Sequence, residues 1–126
     1  MPDLLETGAT WLAGQLKAHA SRDVTYRRGA QQVVLKATAG RTEAEATDDE
    51  GGVLRIESRD FIVQAADLVL GGTRTLPELG DLIELTDSQG VVHRYELMTL
   101  GVEGHWRWSD PYHTLLRIHT KEIDPD

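Results

Sequence analysis

The clearest alternation of apolar and polar positions lies at Phe61-Ile62-Val63-Gln64-Ala65-Ala66. Successive side chains of an extended chain point to opposite faces, so Phe61, Val63 and Ala65 share one face with Gln64 opposite, as in a half-buried strand. Gly71-Gly72 ends the run. Pro77 fixes φ and removes a ladder donor, Gly80 accepts positive φ, and Asp81 can bond nearby amides, so Leu76 to Asp81 reads as a turn leading into a strand over Leu82-Ile83-Glu84-Leu85.

The same reading extends along the chain. Leu5, Ala9, Leu12 and Leu16 recur at helical spacing and predict an amphipathic helix over about 3–20, with Trp11 beside the apolar stripe. Such a helix packs over a sheet or docks on a neighbouring subunit. Val24-Thr25-Tyr26 and Gln32 to Ala37 predict an early hairpin, with Arg27-Arg28-Gly29-Ala30 as its turn. Gly40 to Gly52 is polar, acidic and bounded by glycine, which predicts an exposed, mobile loop. Val53 to Ile56 leads into the Phe61 strand. A second hairpin flanks Asp87-Ser88-Gln89-Gly90, His105 to Trp108 alternates until Asp110-Pro111 breaks it, and Thr114 to Thr120 makes a last strand before a polar tail.

One helix and about seven short strands, with no helical crossover between the later strands, predict a mainly β chain: a small antiparallel barrel or sandwich. The expected organisation is one domain over 1–126, with the β region at about 23–121.

Composition narrows this picture. A chain of 126 residues buries roughly two-thirds of its unfolded surface without staples. No apolar run approaches the ~20 residues of a membrane span. The acidic N-terminal residues do not suit a signal peptide, so a cytoplasmic site of synthesis is expected. With 0 cysteines, disulfides, thiolate metal sites and cysteine nucleophiles are excluded together. The formal charge of -8 opposes free-standing DNA binding, although an acidic wall suits a passage that DNA slides along without sticking.

Candidate chemistry is sparse. His105, His113 and His119 match no compact zinc pattern, and none of Ser21, Ser58, Ser88 and Ser109 lies in a Gly-x-Ser-x-Gly elbow. Asp48-Asp49-Glu50 lacks the alternating ligands and internal glycine of a calcium loop and reads as a solvated acid run. Glu103 and Asp110 flank Trp106 and Trp108, an arrangement compatible with a sugar site, so a β-barrel ligand-binding module or hydrolase using Trp106 to Tyr112 stands as the alternative function. On a strand the two indoles serve equally as core or interface mass. A third reading, an acidic mimic of DNA, requires the negative charges to align on one face. No phosphate-binding motif occurs and no cofactor or metal is expected.

The order of these pieces resembles the small head-tail joining proteins of tailed bacteriophages and prophages, a group that includes the lambda-type joining proteins and related stopper and head-completion proteins. The resemblance covers about Leu4 to Thr120, and its most specific pieces are FIVQAADL, LPELGDLIEL, HRYELM and the ending HWRWSDPYHTLLRIHTK. It implies a non-enzymatic structural subunit, monomeric when free, that forms a homo-oligomeric ring between the portal or adaptor and the tail-tube or tail-terminator protein. DNA passes through the lumen of such a ring without sequence-specific binding. The implied location is the neck of the virion, reached from the host cytoplasm. It further implies that the Gly40 to Gly52 and Gly71 to Gly80 segments become ordered on assembly, which places the expected interface at Trp11, Arg41, Glu43, Asp48, Asp49, Thr73, Arg74, Leu76, Trp106 and Trp108. The acidic charge and the Trp-rich ending depart from the family pattern, leaving adaptor, stopper and terminator positions open.

Overall fold

The computed structural model describes residues 21–47 and 49–123. The helix expected over 3–20, with Trp11, and the candidate Asp48 lie outside the described residues.

Nine strands follow in order among the described residues: β1 (Arg22–Arg28), β2 (Gln31–Thr47), β3 (Val53–Gln64), β4 (Val69–Leu70), β5 (Thr73–Arg74), β6 (Leu82–Thr86), β7 (Val92–Leu97), β8 (Trp106–Trp108) and β9 (Leu115–Ile123). Short 3-10 turns occupy Ala65–Asp67 and Gly101–Glu103. Seven strands make one antiparallel sheet in the order β3-β2-β1-β6-β7-β9-β8, while β4 and β5 form a separate small hairpin. β3 also pairs with β9, from Arg59↔Thr120 to Gln64↔Leu115, so the ladder returns to the strand where it began. β9 accommodates three neighbours because β8 takes Leu116 to Ile118 and β7 takes Thr120 to Ile123.

The local turn chemistry explains the connections. Arg28 faces Gln31, so the first turn has only Gly29 and Ala30 at its centre, and Gly29 adopts φ 58°. Arg27 and Arg28, expected in the turn, are the last residues of β1. In the β4/β5 hairpin, Leu70 faces Thr73, and Gly71 and Gly72 have φ 59° and 81°. Positive φ at both central positions is what a two-residue turn needs to match the twist of its strands.

The largest correction concerns Gly40 to Gly52. This segment is not a loop: β2 runs unbroken to Thr47, paired with β3 in a register that continues from Ala37↔Val63 to Thr47↔Val53. Its low hydrophobicity conceals a strand because both faces of the distal ribbon meet water, so no apolar face is required. The connection itself contains only residues 48–52. The Gly71 to Gly80 segment is likewise partly structured, carrying β5 before the turn at Leu79-Gly80.

The core contains Val24, Tyr26, Leu35, Phe61, Val63, Leu68, Ile83, Tyr95, Leu116 and Ile118. As the alternation requires, Phe61 and Val63 are buried while Ile62 and Gln64 are half-buried. Phe61 meets Tyr95 edge-on at 5.0 Å between ring centroids, and Trp106 and Trp108 pack half-buried against the same cluster. Leu116 is 0% exposed, and Leu116→Ala should destabilise the fold by about 2–5 kcal/mol, with Val34→Ala, at a side chain 63% exposed, nearly neutral. Urea unfolding of the two variants checks this contrast.

Candidate docking surface

Two features stand out from the closed part of the sheet: a projecting arm and an open groove. The arm is the distal half of β2 and β3. β2 pairs with β1 only as far as Ala37, and β3 pairs with β9 only from Arg59 onward. Among the described residues the six pairs from Thr42↔Ser58 to Thr47↔Val53 therefore have only each other as strand neighbours. At the rise of a strand they extend about 20 Å. Arg41 reaches Glu57 at 3.7 Å, Glu43 faces Glu57 and Glu45 faces Arg55. Val53 and Leu54, at the tip, are 69% and 50% exposed. A two-stranded ribbon is marginally stable by itself, so its root must be held.

Asp60 holds it. This residue is 1% exposed and lies on the opposite pleat from Phe61, at the level where the arm leaves the sheet. Its carboxylate accepts hydrogen bonds from Ser58 Oγ (2.6 Å) and Arg117 Nη1 (2.7 Å), and also from Thr42 Oγ1. His119 Nδ1 is 2.9 Å from Asp60 Oδ1, placing its proton on that contact. Gly40 makes room, because a Cβ there would sit 3.3 Å from Arg117 Nη1. Burial pushes the Asp60 carboxyl up, but the hydrogen bonds from His119, Ser58, Thr42 and Arg117 outweigh it and hold the group well below the usual carboxylate range.

Ser58, His119 and Asp60 are the residue types of a hydrolytic triad, yet the geometry is different. His119 Nδ1 faces both Asp60 Oδ1 and Ser58 Oγ, the latter at 3.3 Å, whereas a triad uses one ring nitrogen for each partner. Ser58 and His119 are also 0% exposed. The cluster acts as a clamp joining β2, β3 and β9.

A second buried carboxylate shapes the groove. Asp81, 2% exposed, accepts from Arg28 Nε (3.0 Å), Arg28 Nη2 (2.9 Å), the Glu78 amide (3.0 Å) and the Tyr26 hydroxyl. Burial, followed by the bond to Asp81, pushes the Tyr26 phenol well up, so it remains a donor. Arg28 also donates to Thr75 Oγ1 at 3.0 Å and to the Leu76 carbonyl at 2.7 Å. From the other side His105 Nε2 donates to the Pro77 carbonyl at 2.9 Å. The segment Thr75 to Glu78 is thereby fixed, and with Ala65, Arg74 and Trp108 it lines a groove of about 670 Å³. Trp108 stacks on His113, whose φ is 57°, at 4.5 Å and 5° between planes.

The sequence-predicted residues fall into separate places. Arg74, Leu76 and Trp108 meet in the groove, with Thr73 beside them on β5. Arg41 and Glu43 lie along the arm and Asp49 near its tip, on a ribbon rather than in the expected loop. Trp106 packs against Trp108 and the core. The proposed sugar-site carboxylates are engaged elsewhere: Asp110 Oδ1 accepts from the amides of Thr114 and Leu115, each at 2.8 Å, and Glu103 pairs with Arg107. Among the described residues no group of three or more His, Asp or Glu is placed to hold a metal ion. The bond from the Glu78 amide bears out Asp81 as a turn residue, but sequence reasoning missed its bonds to Tyr26 and Arg28 and missed Asp60 altogether. These partners are up to 59 positions away, and a polar residue beside another polar one on a strand ordinarily faces water.

Both clamps are testable. Asp60 is held below its unfolded value, so its contribution is complete above about pH 4 and is lost as the pH falls below that toward its folded pKa. Asp60→Asn should remove this acid-sensitive part and, by leaving Arg117 without its carboxylate, cost about 3–5 kcal/mol at neutral pH, read from urea midpoints as a function of pH. Asp81→Ala should accelerate hydrogen exchange at the Thr75 and Glu78 amides while leaving the arm amides at 42–47 and 53–58 unchanged.

The sequence pattern of the family described as phage head-tail joining protein matches residues 2–126. No curated protein sequence matches the chain. The family match spans the closed sheet, the arm and the groove alike, and the chain accordingly belongs to the phage head-tail joining proteins, a structural family of the virion.

Proposed function

We propose that this chain is a non-enzymatic subunit of the neck, monomeric when free, that forms a homo-oligomeric ring between the portal or adaptor and the tail-tube or tail-terminator protein. The observation that carries this reading is the arm: a ribbon about 20 Å long whose strands have no further strand neighbours among the described residues and whose apolar tip is exposed, in a chain of the joining family. Free strand edges and exposed apolar side chains are liabilities in a lone protein and contact surface in an assembly. The closed sheet supplies the rigid body that a connector between two large particles needs. The net charge of -8 suits a wall past which DNA moves, because it repels phosphate and offers no sequence readout.

An infection lacking this chain tests the reading. Filled heads and finished tails should accumulate separately, and adding the purified chain should restore joined, infectious particles, counted by electron microscopy and plaque titre. Heads and tails that join without it, or that ignore it when added, would overturn the proposal.

A further inference from the structure

Two exposed apolar surfaces of this chain present charges of opposite sign, Asp49 at one and Arg74 at the other, the acid that also lines the groove, Glu78, being paired with Arg28. At the arm tip Val53 and Leu54 stand beside Asp49; in the groove Leu76 and Trp108 stand beside Arg74. Among the described residues neither Asp49 nor Arg74 has an ion-pair partner. In one copy the two surfaces do not meet, since no arm residue lines the groove. The groove wall is rigid because Arg28, Asp81 and His105 fix Thr75 to Glu78. The arm root is rigid because Asp60 fixes it. A preorganised projection and a preorganised recess with complementary character are suited to each other with little ordering cost.

We propose that the occupant of the groove is the arm tip of a second copy of this chain, with Val53 and Leu54 seated against Leu76 and Trp108 and Asp49 paired with Arg74. The contact is head-to-tail: each copy offers its tip to one neighbour and its groove to the other. Such a heterologous contact propagates in one direction and produces a ring when its rotation closes. This inference rests on the ring reading above and names the surface that builds the ring.

The absence of native cysteine permits a direct test. Leu54→Cys in one preparation and Leu76→Cys in another are mixed with heads and tails awaiting joining, and at high concentration without them, then oxidised. A disulfide-linked pair of chains is expected from this mixture at least tenfold above a control mixture of Leu54→Cys with Ser88→Cys. In parallel, Asp49→Lys and Arg74→Glu should each weaken assembly of the chain on heads and tails about tenfold, read by co-sedimentation with the particles, and the doubly reversed chain should recover most of it. Closed oligomers that form without the Leu54–Leu76 cross-link, or charge reversals that neither weaken nor rescue, would overturn this interface and leave the ring reading standing. A chain that stays monomeric both alone and on heads and tails would overturn both.

Discussion

The arrangement of this protein depends on two buried carboxylates, Asp60 on β3 and Asp81 just before β6. A buried carboxyl group is tolerated only when hydrogen-bond partners surround it, so each one fixes the residues that supply them. Asp60 draws together Thr42, Ser58, Arg117 and His119 from three strands. Asp81 draws in Tyr26, Arg28 and the Glu78 amide. Hydrophobic burial is the larger share of the stability, but it is non-directional. The two carboxylates convert it into a definite geometry at the arm root and at the groove wall.

That division assigns distinct tasks to distinct surfaces. The ladder closes through β3 and β9, while on the arm the paired strands keep their outer edges free among the described residues. Aromatic mass near the C-terminus serves two purposes at once. Trp106 fills the margin of the core, while Trp108 is shared between the core and the groove and is backed by His113. Asp110, attractive as a catalytic acid in the sequence, instead turns the chain between β8 and β9 by accepting two amides. The groove presents Arg74 beside Leu76 and Trp108, and the arm tip presents Asp49 beside Val53 and Leu54.

Local sequence determined much of the body of the protein. The Phe61-Val63-Ala65 face, the Pro77-Gly80-Asp81 turn, the hairpin around Asp87 to Gly90 and the final strand all rest on side-chain alternation and turn chemistry, which act over a few residues. Their order also carried the family resemblance. The run from Gly40 to Thr47 was illegible because a ribbon wet on both faces has no apolar period, and its strand identity comes from the register imposed by β3.

Only the tertiary structure decided which polar residues are buried. Asp60 and His119 lie 59 positions apart and Tyr26 and Asp81 55 apart, and nothing within a local window distinguishes them from solvated neighbours. It likewise brought Arg74, Leu76 and Trp108 into one groove from two distant parts of the chain. Alternation specifies that a strand has an inner face and an outer one. Which outer positions are then covered, and by what, depends on the closure of the sheet through β3 and β9, a constraint between strands that no single segment contains.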